Sequence, residues 1–503
     1  MGPRQTRDPK LFHYGVNLER RVRANNPLRR IKEKIDFSFV RSAVVGFYGK
    51  DGHESADPIV IMKMMLLLFL DDVPGERELM RIVAERLDYL WFLEMDLDDD
   101  IPDHSVLSKA RRRWGVEVFQ DLFIKVVGRC VEAGLVSGDK IHMDGSVVNA
   151  NASMESIRSG CPELIQQLRA AYRREEAKLE TGNEGDDGGA VAAAPRQHRT
   201  VSRTDPDAVL MRKGELARPR YKHHRAVDDQ CGVITAMETT PADVAENEKL
   251  VALVQQHEAN TGEKVRTVVA DAQYGTNDNF AACQQLGIRS HMKDLRATYT
   301  NDAPTRGIFR ESDFQYDAAT DTYICPAGER LKRSKNPKHN TYVYHGSKKL
   351  CGGCALRTQC MRSKNWRSIR RHIHHDLVQE GRRESHSGWA RQDRRRRKHL
   401  MEGSFADALQ HGFKQARWRR LHNQQIQDYL IATCQNLRIL FRFERPRQAA
   451  AMMMTLPAAL SDITKTGILG QLTRIRRAFG HSQLPPPSKH RLLRLPELFP
   501  VGP

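Results

Sequence analysis

The run from Val265 to Ala270 limits the fold of this chain more than any other segment. It is rich in valine and is followed directly by an acid, Asp271. Such a run is typical of a strand that helices cover on both faces. A second short apolar run, residues 140–153, also contains an acid, Asp144. We therefore predict a sheet with two such strands, each of which presents a carboxylate.

The segments around these strands indicate a mixed sheet layered with helices. The pattern predicts a hairpin at 223–240, helices at 242–261 and 277–286, and a short strand at 288–292. Strand, hairpin, helix, strand, helix and strand in this order are typical of an α/β (α+β) fold. Before the first strand, residues 57–135 have helical periodicity throughout, which predicts an all-helical N-terminal domain.

Charge and composition narrow the class of protein. Lys and Arg number 81 and Asp and Glu 62, so the formal net charge is +19. An excess of this size favours a polyanionic partner, because Lys and Arg that meet phosphates release counterions. The longest apolar run, residues 59–70, is interrupted by Lys63 and is too short to span a bilayer. Nine cysteines are too few for a disulfide scaffold. We expect a cytoplasmic protein that contacts nucleic acid and no membrane.

Three acids stand out by position: Asp144, Asp271 and Glu402, the last on a helix just after a basic run. A carboxylate on an apolar strand is costly to bury unless it binds a metal or a partner charge. Carboxylates that hold two Mg²⁺ ions stabilise both oxygens of an in-line displacement at phosphorus. Taken singly, each acid has an ordinary explanation, as a turn former, a helix cap or a solvent-facing partner of arginines. Their order on strand, strand and helix favours metal-dependent phosphoryl chemistry.

Motifs along most of the chain support this interpretation. They are FYGKDGHESADPIVIMKMMLLLFL, ERELMRIVAERLDYLWFL, IPDHSVLSKARRRWG, IHMDGSVVNANAS, TDPDAV, YKHHRAVDDQCGVITAMETTPA, VVADAQYG and MEGSFADALQHGFKQARWRRL. In these motifs, between about residues 35 and 440, the chain resembles the DDE transposases of bacterial insertion sequences. In the group that it resembles, a helical N-terminal domain precedes a ribonuclease-H-like catalytic domain.

The resemblance implies a function and a site. The three metal-binding acids of the family fall on Asp144, Asp271 and Glu402, and Tyr274 matches the family's D-x-x-Y pattern. The cofactor would be Mg²⁺ or Mn²⁺. The protein would bind terminal inverted repeats and target DNA as a dimer, in the bacterial cytoplasm near the nucleoid. It would cleave DNA and transfer strands; a ribonuclease-H-like nuclease without strand transfer and a decayed, non-catalytic DNA-binding protein are the alternatives.

The chain departs from the family pattern at two positions. Lys398 lies four residues before Glu402, where Arg is more usual, and Leu409 replaces a Lys that often lies seven residues after the Glu. The departure at Leu409 supports the decayed protein as an alternative. Basic residues near the third acid are candidates for the missing DNA contact: Arg397, Lys398, Lys414, Arg417, Arg419 and Arg420.

A basic helix and a cysteine group give two further candidate sites. The helix Ser105–Trp114 is either a recognition helix or a solvated face; its candidates for DNA contact are Lys109, Arg111, Arg112 and Arg113. Four cysteines have the spacing C-x25-C-x2-C-x5-C, namely Cys325, Cys351, Cys354 and Cys360. The x2 pair suits a structural Zn²⁺, whereas the x5 spacing weakens that interpretation and leaves two unrelated pairs of small buried residues as the alternative.

Together these patterns predict an all-helical N-terminal domain followed by a ribonuclease-H-like mixed-sheet domain with a Cys-rich insertion. The predicted segments are a basic arm (1–34), the helical domain with a DNA-binding candidate (35–136), the first part of the catalytic core (137–310) with a mobile loop (155–220), the insertion (311–368), a basic helical part of the core with the third acid (369–442) and a loosely ordered basic tail (443–503).

Overall fold

The computed structural model describes residues 17–48, 56–181, 198–214, 216–294, 307–362 and 365–454. Much of the predicted basic arm and most of the predicted tail therefore lie outside the described residues. The same holds for the low-complexity stretch 182–197. The chain divides after Phe443, and the features below belong to the unit that ends there.

Helices form the N-terminal part of the chain, as predicted. They are α1 (Leu18–Arg21), α2 (Pro27–Lys34), α3 (Phe39–Val44), α4 (Pro58–Leu70), α5 (Glu76–Glu85), α6 (Leu87–Leu93), α7 (Ser105–Trp114) and α8 (Glu117–Glu132). Asp57 caps α4 by accepting a hydrogen bond from the backbone N–H of Ile59. Helix α4 is apolar on nearly all sides, which is typical of a helix at the centre of a core. Lys63 of this helix is buried, and its Nζ lies 3.1 Å from Oε1 of Glu94.

A mixed sheet follows the helices. The strands of this part are β1 (Lys140–Asn149), β2 (Ile157–Ser159), β3 (Thr200–Ser202), β4 (Val209–Lys213), β5 (Leu216–Asp228), β6 (Ile234–Pro241), β7 (Thr267–Ala270) and β8 (Arg289–Met292). Strand β5 is antiparallel to β1 and to β6, whereas β7 is parallel to β1 and β8 is parallel to β7. The resulting order β6-β5-β1-β7-β8 is consistent with the predicted ribonuclease-H-like domain.

Further helices, several of which pack on this sheet, continue to the end of the described chain. They are α9 (Pro162–Thr181), α10 (Leu250–Thr261), α11 (Asn277–Gln285), α12 (Lys348–Gly352), α13 (Arg357–Cys360), α14 (His375–Ser385), α15 (Gly388–Leu409) and α16 (Leu421–Met454). Ile141 and Met143 of β1 pack with Leu253 of α10 and Phe280 of α11. Because Ile141 and Met143 are two residues apart, their side chains lie on the same face of β1, and this face packs against the helices.

The N-terminal helices and the catalytic sheet share one hydrophobic core. Leu66 of α4, Val148 of β1, Met401 of α15 and Leu430 of α16 belong to the same buried cluster. The burial of α4 therefore depends on α16, which follows it by more than 300 residues in the chain. We conclude that the two predicted domains pack as one body up to Phe443.

The cysteine-containing insertion has a small sheet of its own. Its strands are β9 (Gln315–Asp317), β10 (Thr322–Ile324), β11 (Arg330–Arg333), β12 (Thr341–His345) and β13 (Ser368–His372), each antiparallel to the next. Tyr323, Leu331, Tyr344 and Ile369 fill its core. Helices α12 and α13 lie between β12 and β13 in the chain.

The segment 155–220 differs from the predicted loop. Its described residues include the paired strands β2 and β3, the helix α9, strand β4 and the start of β5. The Gly- and Ala-rich composition of its middle, residues 182–197, had suggested a loop for the whole segment, although the flanking residues are regular. Within the described residues no helix is both long enough and apolar enough to cross a bilayer.

Candidate active site

Two of the predicted acids lie side by side at the centre of the sheet. Strands β1 and β7 are parallel, with His142 opposite Val269. Side chains two residues further on point to the same side of a sheet, so Asp144 and Asp271 are neighbours. Asp271 also caps the turn that follows β7, because it accepts a hydrogen bond from the backbone N–H of Gln273 at 2.8 Å. This hydrogen bond leaves the Asp271 carboxylate able to bind a metal ion, since a carboxylate has further lone pairs.

A third acid, Glu246, joins them. It begins the short 3-10 helix Glu246–Lys249, between β6 and α10. One carboxylate oxygen from each of Asp144, Glu246 and Asp271 lies within 4.8 Å of the other two. Sequence reasoning missed Glu246, because it lies on neither a strand nor a long helix. The signal that could have indicated it is Gly145, which leaves room beside the first acid.

Two of the three carboxylates, Glu246 and Asp144, have a raised affinity for protons. The pKa of Glu246 is raised to about 7, first by burial and then by Asp271 and Asp144. The pKa of Asp144 is also raised, mainly by burial, while Arg397 acts in the opposite direction. Like charges at this separation disfavour simultaneous ionisation unless a cation lies among them. Oxygen ligands alone are the set that Mg²⁺ and Mn²⁺ prefer, so these residues fit such an ion.

A buried hydroxyl lies near the same group. Tyr274 is fully buried, and its hydroxyl has no hydrogen-bond partner among the described residues. Its pKa is raised well above the ordinary value, first by burial and then by Glu246, Asp144 and Asp271. An unpaired buried hydroxyl costs about 1–3 kcal/mol, so a group that it can bond is expected at this point.

Helix α15 reaches the site through Arg397. Its Nη1 lies 2.8 Å from Oδ2 of Asp144, and both side chains are largely buried. Arg397 was a predicted DNA contact, and in this structure its guanidinium instead neutralises the first acid. A cation that binds Asp144 therefore shares this carboxylate with Arg397 or displaces the guanidinium.

The structure does not bring Glu402 into the acidic group. Glu402 lies on α15, five residues after Arg397, which corresponds to about 140° around a helix. Its side chain is exposed, whereas its neighbour Met401 is buried. Of the predicted acids, the structure thus gathers Asp144 and Asp271, and it adds Glu246 to them.

The predicted basic contacts divide into two sets. The exposed set is Lys109, Arg112, Arg113, Lys398, Lys414 and Arg419. Within it, Lys414 contacts β1: its Nζ lies 2.6 Å from Oγ of Ser146, two residues after Asp144. This set keeps its charges in solvent, where phosphates can reach them.

The arginines of the other set make contacts within the protein. Besides Arg397 it contains Arg111, Arg417 and Arg420. Arg111 is buried, is paired with Glu76, and places its guanidinium carbon 3.7 Å from the ring centroid of Trp418. Arg417 donates to the carbonyl oxygen of Val73 and so ties the end of α4 to the catalytic part. Arg111 and Arg417 are thus buried structural contacts in this state.

The four cysteines of the insertion line one small cavity of about 40 Å³. Burial raises the pKa of the Cys360 thiol, and Cys351, Cys325 and Cys354 add to this increase. Among the described residues, however, the acidic group is the one set of three or more His, Cys, Asp or Glu side chains with the geometry of a metal site. The zinc prediction therefore gains no support from the distances between the thiols.

Comparison with known proteins agrees with the fold. A transposase domain (DUF772) matches residues 16–113, the region of α1 to α7. A transposase DDE domain matches residues 324–441, which contain Glu402 but neither Asp144 nor Asp271. No curated protein matches the chain. The DDE domain implies a DNA-binding polynucleotidyl transferase that uses a divalent metal. The chain is therefore a transposase of the insertion-sequence type, with a DUF772 N-terminal domain and a DDE transposase domain.

Proposed function

We propose that this transposase binds the ends of its insertion sequence, cleaves DNA there and joins the freed 3′ ends to target DNA. The observation that supports the proposal most strongly is the meeting of Asp144 and Asp271 at the central strands of a ribonuclease-H-like sheet, with Glu246 beside them. Carboxylates so arranged suit the chemistry that the DDE family performs, and the basic surface suits its substrate.

Two successive displacements at phosphorus make up the reaction. In the first, water attacks a phosphodiester at the element end; one P–O bond forms, another breaks, and a strand with a free 3′-hydroxyl leaves. In the second, this hydroxyl attacks a phosphodiester of the target, so again one P–O bond replaces another. A divalent cation, when bound, stabilises the charge that develops on the attacking and leaving oxygens. Asp144 and Asp271 would hold this cation, and no covalent bond between protein and DNA forms.

The role of Glu402 belongs to the DNA-bound protein. The resemblance to the family implies that Glu402 is the third acid, and it lies on the helix that already contacts Asp144 through Arg397. We propose that DNA draws Arg397 away from Asp144 toward a phosphate and lets α15 turn Glu402 toward the site. Lys398 on the same helix and Lys414 beside Ser146 would contact the DNA backbone.

Cleavage of end DNA by purified variants tests the proposal. Asp144→Asn, Asp271→Asn and Glu402→Gln should each abolish Mg²⁺- or Mn²⁺-dependent nicking while end binding stays nearly intact. Asp139→Asn is the matched control, because Asp139 is exposed just before β1 and bonds to Ser137 away from the acids. Cleavage that survives in all three acid variants would refute the assignment.

The same assay separates the alternatives. A pre-cleaved end and a target plasmid should give joined product; nicking without joining would indicate a nuclease. Wild-type protein that binds ends yet never nicks them would indicate a decayed transposase, as the Leu409 departure suggested. Two ends must meet for transposition, so we also propose a dimer on DNA, which sedimentation of the end complex would reveal.

For the insertion, we propose a structural Zn²⁺ held by Cys325, Cys351, Cys354 and Cys360. The shared cavity supports it, although thiolates around one zinc lie about 3.8 Å apart and these would have to draw together. Metal analysis should find one zinc per chain, lost in Cys351→Ser and retained in Cys161→Ser, which alters an exposed cysteine. Metal-free protein with unchanged thermal stability in chelator would exclude the site.

A further inference from the structure

Glu246 has no assigned role in the proposed reaction, yet it lies closer to the two strand acids than the third acid of the family does. We propose that Glu246 is a ligand of the divalent cation and that Asp144, Glu246 and Asp271 form the cation site of the DNA-free protein. This inference rests on the proposed function, because it uses the same metal centre. It gives the cation a ligand, Glu246, that is not one of the three acids predicted from the sequence.

The distances favour one shared ion. Two oxygens that bind the same Mg²⁺ on opposite sides, each at about 2.1 Å, are about 4.2 Å apart. The three carboxylate oxygens are already within 4.8 Å of one another. The carboxylate oxygens are therefore close to the spacing of ligands around one ion.

The charges near Glu246 are out of balance. Among the described residues no hydrogen bond or ion pair neutralises its carboxylate. Lys222 is close enough to act on it, but the Nζ of Lys222 donates to the carbonyl oxygen of Val244 at 2.9 Å. Arg397 is paired with Asp144. Three acids thus face one bound arginine and one lysine that is engaged elsewhere, which leaves room for a further positive charge.

The buried hydroxyl of Tyr274 is an independent observation at this site. It is fully buried, lacks a hydrogen-bond partner among the described residues, and is near enough to all three carboxylates for each of them to raise its pKa. A metal ion that binds only three protein oxygens keeps water molecules on its remaining positions. Such a water would supply the bond that this hydroxyl lacks. Without a cation and its water, the three carboxylates leave this hydroxyl unpartnered among the described residues.

The alternative is that Glu246 is simply a protonated acid that shares its proton with Asp144 or Asp271. A glutamine in its place preserves shape and hydrogen bonding but cannot ligate the cation with equal strength. Binding of Mn²⁺ to the full-length, DNA-free protein, followed by the electron paramagnetic resonance signal of free Mn²⁺, therefore distinguishes the two roles.

We expect Glu246→Gln to weaken Mn²⁺ binding by about tenfold or more. Glu248→Gln is the matched control: Glu248 lies on the same 3-10 helix, is exposed, and should bind Mn²⁺ as the wild type does. Glu402→Gln should also leave binding to the DNA-free protein unchanged, although it abolishes cleavage. Glu246→Asp keeps the charge on a shorter side chain and should give intermediate affinity.

The outcomes separate this inference from the proposed function. If Asp144→Asn loses Mn²⁺ and Glu246→Gln does not, Glu246 is no ligand and the proposed metal centre stands. If Asp144→Asn and Asp271→Asn bind Mn²⁺ as tightly as the wild type, the centre itself is misplaced. Thermal unfolding without metal verifies that each variant is folded; if Glu246→Gln is not, Glu246→Asp decides, since binding equal to that of the wild type would overturn the inference.

Discussion

The side chain of Glu246 lies directly over the backbone of Gly145, so that a Cβ atom on Gly145 would be 2.6 Å from the carboxyl carbon of Glu246. The glycine after the first acid is therefore required for the approach of another side chain. Gly145 has an ordinary extended backbone within β1, so a turn does not explain it. The Asp-Gly pair at 144–145 thus supplies one acid of the site and the space in which Glu246 approaches it.

Gly145→Ala should displace Glu246 without removing any carboxylate. Because the new methyl group would occupy the place of the Glu246 side chain, we expect weaker Mn²⁺ binding, in the direction of Glu246→Gln. Calorimetric titration of the DNA-free protein measures it. Gly128→Ala, on α8, is the control, since a Cβ there meets no atom within 4 Å. Full Mn²⁺ affinity in Gly145→Ala would show that the contact does not position Glu246.

Metal binding should strengthen as the pH rises toward 7. The raised pKa of Glu246, about 7, means that this group is mostly protonated below that pH, and a cation must expel the proton to bind it. The charged and titratable groups that act on it are Asp271, Lys222, Asp144, Arg397 and Tyr274. Mn²⁺ titrations at pH 6, 7 and 8 should show affinity that increases and then levels off.

In Glu246→Gln this rise near pH 7 should be smaller, because the titrating group is gone, whereas Glu248→Gln should keep it. The same pH profile in wild type and Glu246→Gln would contradict the assignment. Asp144 also titrates above its ordinary range, so some pH dependence remains in every variant.

Arg111 and Arg112 are adjacent in sequence but should respond very differently to substitution. Arg111 is buried against Glu76 and Trp418, whereas Arg112 is exposed. Removal of one partner of a buried pair leaves a charge uncompensated, so Arg111→Ala should lower the free energy of unfolding by about 3–5 kcal/mol. Arg112→Ala should change it by less than about 0.5 kcal/mol.

Chemical denaturation measures both variants. Any loss of end binding in Arg111→Ala should follow the unfolded fraction and disappear at temperatures where the variant is folded. An Arg111→Ala protein of normal stability that fails to bind DNA would instead indicate direct contact, as the recognition-helix hypothesis supposed.

Lys414 should supply the DNA contact that Leu409 does not. Its ammonium lies beside Ser146 and close to the acids, and the side chain is exposed. We expect Lys414→Gln to weaken end binding at low salt and to reduce the salt slope of the affinity by about 1, as for one lost phosphate contact. Lys264→Gln, in a loop before β7, is an exposed control. Equal slopes in the two variants would exclude Lys414.

The fold could be read from the sequence where local pattern and tertiary packing agree. The helix Ser105–Trp114 has the predicted bounds, and β7 lies within the valine-rich run 265–270, with Asp271 directly after it as expected. In both segments the sequence pattern and the packing in the folded chain favour the same secondary structure. The α/β order also followed from the sequence, because connections between neighbouring elements are short.

The site could be predicted only in part, because its other members depend on contacts between distant segments. Glu246 lies in a stretch without regular periodicity, and only the pairing of β5 with β6 returns the chain to Asp144. Arg111 follows Leu107 and precedes Trp114 at helical spacings, which marks its buried face, but the run of positive charge obscured that signal. The exposed position of Glu402 depends on how α15 is rotated, which a motif does not specify.

The most direct test of the metal centre is a crystal of the protein grown with Mn²⁺ and measured at a wavelength where manganese scatters anomalously. We predict an anomalous peak about 2.1–2.2 Å from oxygens of Asp144, Asp271 and Glu246. A fully occupied Mn²⁺ site elsewhere, with these three carboxylates free of metal, would contradict the account.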